Sequence, residues 1–198
     1  MRAADGFSPG VGGFVMIALT YIICHGITIW AIAPAQRFFL DDVSVLASLA
    51  YLPHGVRVLS IWLVGWRALL PLVVGAILAN LIFTSADILD LMHDKMWLSL
   101  AMSVLSAYFA FELLRASGIS AYAGGGRRVN WRKLLLAGLL ASVFNSISQT
   151  LIFSGILAPS GKLTELASFA IGDLLGQVVL MFGLMMIFRA LRSPTASA

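Results

Sequence analysis

Two opposite charges lie inside otherwise apolar sequence, and they are the side chains best placed to do chemistry. Arg57 follows Leu52-Pro53-His54-Gly55-Val56, and Asp173 stands within Ile171-Gly172-Asp173-Leu174-Leu175-Gly176-Gln177. A charge near the centre of a bilayer costs at least roughly 2.5–3.5 kcal/mol on insertion scales, so it turns inward toward a partner or a wet cavity. Each of these two is a natural partner for the other. On the span assignment given below they differ in depth by roughly 7 Å at 1.5 Å rise per residue, an offset that helix tilt or the long arginine side chain can close. The sequence leaves open whether they bridge directly, fixing helix register, or meet at a ligand or proton site.

A second polar group follows at Asn145, Ser146, Ser148, Gln149 and Thr150. Asn145, Ser148 and Gln149 stand at i, i+3 and i+4 and share a helical face, where they could line a polar cavity. Intramembrane amides and hydroxyls also serve as interhelical glue worth about 0.6 kcal/mol each. Asn80 follows the small-residue surface Gly75, Ala76 and Ala79 and could bond across it. Of His25, His54 and His93, only His54 at the Pro-His-Gly element joins the candidates. The three lack ligand spacing, and neither a metal nor a cofactor is expected. The candidate ligand- or partner-binding set is therefore His54, Arg57, Asn80, Asn145, Gln149, Asp173 and Gln177. Pro53, Gly55 and Pro71 predict breaks or kinks that free backbone groups, tolerated in lipid only where protein or a wet cavity satisfies them. Gly172 and Gly176 allow a second break. Glu112 and Arg115, at i and i+3, are expected to pair or snorkel. No nucleophile elbow, phosphate-binding glycine loop or paired catalytic carboxylate occurs, so the chain reads as non-enzymatic.

The elements that position these residues follow from composition. Of 198 residues, 60% are hydrophobic and 11% charged, against about 25% charged in soluble domains; mean hydropathy is +0.96. Apolar runs recur at the length of about 20 residues that crosses a bilayer as a helix. The pattern predicts an all-α polytopic bundle of six spans, near 11–32 (stopped by Pro34), 45–64, 68–83, 97–114, 134–157 and 166–188. The bundle fills 11–191, after a cytoplasmic N-terminus (1–10) and before a short disordered tail (192–198). The formal net charge of +4 would point to nucleic acid in a soluble protein; here the basic residues flank spans and set orientation, and no nucleic-acid partner is expected. With the N-terminus in the cytoplasm, Arg2, Arg67, Arg115, Arg127, Arg128, Arg132, Lys133, Arg189 and Arg192 fall inside and Arg37, Lys95 and Lys162 outside. Both termini are then cytoplasmic. Asp41, Asp42, Asp87, Asp90 and Asp94 fall in outer loops. Trp30, Trp62, Trp66, Trp97 and Trp131 read as interface anchors, and the loop 123–128 as a flexible basic segment against anionic headgroups. The single cysteine, Cys24, rules out an intrachain disulfide.

Three ordered strings carry a resemblance. Leu52-Pro53-His54-Gly55-Val56-Arg57, then Gly65-Trp66-Arg67 with Leu70-Pro71 and Gly75-Ala76-Ile77-Leu78-Ala79-Asn80, and later Gly172-Asp173-Leu174-Leu175-Gly176 resemble the motifs of the first family of bacterial membrane-associated sensor domains. They cover spans two, three and six. The resemblance implies a bacterial inner-membrane domain that senses a signal in or near the membrane, usually ahead of histidine kinases or cyclic-dinucleotide enzymes. The chain departs from that pattern in being shorter than the usual eight helices, in lacking an output domain and in having no proline between Val178 and Met186. A signal would then pass to a partner membrane protein in trans. The expected function is a sensor-like or regulatory module that binds a small ligand or a membrane partner. The alternatives are an accessory subunit of a membrane complex and a substrate-binding component of a solute uptake system.

Overall fold

The computed structural model describes residues 10–39, 50–84, 86–124, 130–153 and 162–192. Every regular element among them is helical. Five stretches are long and apolar enough to cross a membrane: Val11–Gln36, Leu52–Phe83, Lys95–Ala116, Trp131–Ile152 and Phe169–Ile187. The architecture is thus all-α and compatible with a multi-pass membrane protein. Residues 1–9, Asp41 and Asp42, the expected start of span two at 45–49, residues 125–128 of the expected basic loop, the expected end of span five at 154–157 and the tail 193–198 lie outside the described residues.

Helix α1 (Val11–Ile27) passes through a π turn at Thr28–Ile32 into α2 (Ala33–Phe39). Pro34, expected to stop the first span, does not. Proline cannot complete a regular bond to the fourth residue before it and crowds that carbonyl; the wider π turn directly upstream accommodates both.

Helix α3 (Leu52–Val64) begins deep in the molecule, with ten of its 13 residues buried. A helix start leaves amides without intrahelical partners, and here neighbouring elements supply them. Tyr51 N donates to Gly172 O at 2.9 Å, and Leu52 N to Thr28 Oγ1 at 3.3 Å. Pro53 sits in the first turn of α3. Pro71 is the third residue of α4 (Leu69–Phe83). Neither kinks a helix interior, because first-turn positions need no amide hydrogen.

Between α3 and α4 a 3₁₀ turn spans Gly65–Ala68. Gly65 has φ +64°, a left-handed conformation that glycine adopts without the clash a Cβ would bring. The chain folds back there: Leu52 contacts Thr28, while Phe83, at the far end of α4, stacks edge-on against Trp30 at 4.9 Å. The start of α3 and the end of α4 thus lie at the same level of the first helix.

Helices α5 (Ala86–Ala116), α6 (Trp131–Ile152) and α7 (Lys162–Arg192) complete the bundle. α6 starts before its expected beginning at Leu134 because Asn130 caps it, its side-chain oxygen accepting from Lys133 N at 3.3 Å. α7 runs unbroken through Gly172 and Gly176, so the second expected break is absent. These glycines serve packing instead. A Cβ on Gly176 would collide with the Tyr51 carbonyl, so α7 meets the start of α3 backbone to backbone. Gly75 does the same for α4 against Ala18 of α1, at 3.0 Å. α3 lies against α1, α5, α6 and α7, and α6 lies between α5 and α7.

The connection after α5 closes onto the end of α3. Ala123 N donates to Trp62 O at 2.9 Å, and Tyr122 Oη donates to Glu112 at 2.7 Å. Burial, reinforced by that bond, pushes the Tyr122 phenol well above its ordinary pKa. Arg115 lies 3.4 Å from Glu112, the pairing expected from their spacing. Trp30, Trp66, Trp97 and Trp131 are exposed, whereas Trp62, also expected as an anchor, is half-buried against the core.

Candidate functional site

Four helices each deliver polar side chains to one buried point. From α3 come His54 and Arg57, both 0% exposed, and from α7 Asp173, 3% exposed. Arg57 Nη2 lies 3.7 Å from Asp173 Oδ1, and His54 Nδ1 lies 3.3 Å from Asp173 Oδ2. The depth offset between Arg57 and Asp173 is closed by the arginine itself, since helical side chains lean toward the N-terminus of their helix and this one reaches back along α3. Charges taken out of water need pairing and hydrogen bonding to persist, and the cluster supplies both to the carboxylate and to the Nη atoms of Arg57, while the buried Nε of Arg57 has no acceptor among the described residues. Arg57 Nη1 donates to the Ser103 carbonyl at 2.7 Å and contacts the Ser103 hydroxyl. Its guanidinium carbon stands 5.6 Å from the Tyr51 ring centroid, a cation–π distance.

α6 completes the carboxylate's surroundings. Asn145 Nδ2 donates to Asp173 Oδ2 at 2.7 Å, and Gln149 Nε2 to Asn145 Oδ1 at 3.3 Å. Gln149 is in turn bound by Ser99 of α5: its Nε2 donates to the Ser99 carbonyl at 3.2 Å and its Oε1 accepts from Ser99 Oγ at 2.7 Å. His54 Nε2 lies 3.2 Å from Gly138 O.

Five of the seven candidate residues, His54, Arg57, Asn145, Gln149 and Asp173, therefore meet in one network. Gln177 lies one turn along α7, where its amide donates to Leu134 O at 3.0 Å. A Cβ on Gly138 would overlap the Gln177 amide, so Gly138 both accepts from His54 and makes room for Gln177. Gly55 fits closely against Gln177 and Leu180. Asn80 does not join: it donates to Ala76 O of its own helix at 2.9 Å and accepts from Thr84. Both bonds run within its own helix, and among the described residues no contact ties its side chain to the network.

Ser99, Ser103, Tyr51 and Gly138 are members that the sequence reading omits. Ser99, Ser103 and Ser106 recur at i, i+4 and i+7 in an apolar span, the spacing of one helical face, and that pattern was the available signal. Gly138 acts through its carbonyl and the absence of a side chain, and Tyr51 through its backbone contacts with α7 as well as its ring over Arg57, roles for which the sequence holds no signal. Compared with protein-family models, with curated proteins and with solved structures, the chain finds no match in any of the three.

Proposed function

We propose that this chain is a non-enzymatic regulatory module of a bacterial inner membrane, similar in kind to the membrane-associated sensor domains whose motifs it resembles. In this reading it crosses the bilayer six times. α3 and α4 count as two crossings because the chain folds back at Gly65. Both termini are cytoplasmic, on the distribution of basic residues.

The observation that carries the proposal is the four-helix ionic cluster. Arg57, His54 and Asp173 are tied to one another and to fixed partners on α5, α6 and α7. That arrangement suits an element that changes helix packing when its balance is disturbed, and it suits catalysis poorly because the groups are already engaged. A ligand or membrane partner with different affinity for two packings would shift the balance between them. The output would pass through α3, whose far end is bonded to the connection after α5.

An accessory-subunit role is the second reading. It draws on α7, which leaves Val178, Val179, Phe182, Met185 and Met186 exposed along one stretch.

Native mass spectrometry of gently extracted protein tests the proposal. The expected result is a bound small molecule or partner on the wild type that is lost from a folded Asp173→Asn variant. The same complement on both proteins, or a bare wild-type chain, would overturn it.

A further inference from the structure

The connection between α5 and α6 gathers cations at one end of the bundle. Two apolar spans stop there, one ending at Ala116 and the other starting at Trp131, so this end marks the level where hydrocarbon gives way to headgroups. The connection also ties the turn after α3 to the start of α6. Ala123 N donates to Trp62 O at 2.9 Å, and the Tyr122 ring lies 3.9 Å from where a Cβ on Gly65 would stand. On the other side, Lys133 Nζ donates to Ser120 O at 3.0 Å. Gly65-Trp66-Arg67 and Trp131-Arg132-Lys133 are thereby fastened to the same short stretch of chain.

Both attachments present the same pair of side chains. Arg67 Cζ stands 5.8 Å from the Trp66 ring centroid, and Arg132 Cζ 5.4 Å from that of Trp131, cation–π distances. The two indoles are 64% and 56% exposed, and exposed indoles settle at the headgroup level of a bilayer. A guanidinium held over such a ring carries its fork of donors to the depth of the phosphates, which it binds with charge-assisted hydrogen bonds.

The countercharge for these cations does not come from the protein. Among the described residues, the one carboxylate at this end is Glu112, already engaged by Tyr122 Oη at 2.7 Å and by Arg115 at 3.4 Å. Arg132 is exposed, and neither it nor Lys133 has a carboxylate partner among the described residues.

We propose that Trp66-Arg67 and Trp131-Arg132-Lys133 form a docking face for anionic phospholipid, with headgroup phosphates against the guanidiniums and the ammonium. The exposed indoles select a lipid over a soluble anion, because free phosphate has no glycerol or acyl chain for them to meet. Lipid on this face bridges the turn after α3 and the start of α6. The face is built from residues other than those of the basic loop 123–128. It stands apart from the buried cluster and does not depend on the regulatory reading.

The test is native mass spectrometry of the full-length chain released from nanodiscs that hold phosphatidylglycerol and phosphatidylcholine in equal amounts, with identical acyl chains. The wild type is expected to retain phosphatidylglycerol in preference. Arg67→Gln/Arg132→Gln should lower that preference roughly tenfold or more, since each cation near a membrane surface is worth about fivefold in affinity. Lys95→Gln/Lys162→Gln removes the same charge elsewhere and should leave the preference in place. Inorganic phosphate should displace no more lipid than chloride at equal ionic strength. No preference in the wild type, an equal loss in the two double variants, or selective displacement by phosphate would overturn the proposal. The first and last are read on the wild type and do not depend on any variant folding. Neither bears on whether a small molecule or partner is lost from Asp173→Asn, so the two proposals fail separately.

Discussion

Each charged or amide group in the cluster has a partner chosen by geometry, and the strength of those choices can be measured residue by residue. Gly138→Ala places a methyl group where the Gln177 amide lies. Overpacking of this kind costs about 1–3 kcal/mol, to be read as a lower midpoint of unfolding in mixed micelles. Gly138→Ala/Gln177→Ala should recover most of it, since the obstructing amide is gone. Gln149→Leu and Asn80→Leu make a second comparison. The first leaves Asn145 and Ser99 without their buried partner and should cost about 1–3 kcal/mol; the second removes bonds confined to one turn of α4 and should cost clearly less. Equal losses in that pair of variants would contradict the network. Much of this was legible in the sequence. Ions and amides are costly in lipid, so Arg57, Asp173, Asn145 and Gln149 mark themselves. Ser99 and Ser103 were harder to see because serine is common in membrane helices. Gly138 contributes a carbonyl and an absence of side chain, which no residue type announces.

At the scale of elements, hydrophobicity locates the helices, and proline and glycine were the poorer guides. Pro34 was expected to end a helix, and a π turn carries the chain through it. Pro53 and Pro71 fall in first turns, where their missing amide is harmless. Gly172 and Gly176 lie in a continuous helix and matter for how closely α7 approaches Tyr51. The sequence cannot separate these uses, because a helix break and a close contact both select glycine. The two roles separate on substitution. Gly65→Ala must hold a Cβ at φ +64° and ψ −141°, outside the left-handed helical basin, and should cost about 1–3 kcal/mol. Pro71→Ala should change stability by a few tenths of a kcal/mol, because no interior hydrogen bond is regained. A Pro71→Ala loss as large as that of Gly65→Ala would mean that the turn between α3 and α4 is organised differently.

For the molecule as a whole, the burial of Arg57 and Asp173 between α3 and α7 is the feature on which the proposed function rests. The parallel course of α3 and α7, seen in the pairing of Tyr51 with Gly172 and of Gly55 with Gln177 and Leu180, is what an alternating six-span order requires of spans two and six. Reporter fusions test that order. Fusions at Arg67, at Arg128 and after Arg192 are expected to report cytoplasm, and those at Asp90 and Lys162 the opposite side; a fusion at Arg67 reporting the outer side would make α3 and α4 one crossing. The central claim, that Arg57 and Asp173 stabilise each other across α3 and α7, is tested most directly by a double-mutant cycle with Arg57→Met and Asp173→Leu, measured as unfolding free energy in mixed micelles. Each single change strands a buried charge and should cost about 3–5 kcal/mol. The double variant should be more stable than the sum of the two losses implies by at least about 2 kcal/mol. Losses that add to within about 0.5 kcal/mol would contradict the account.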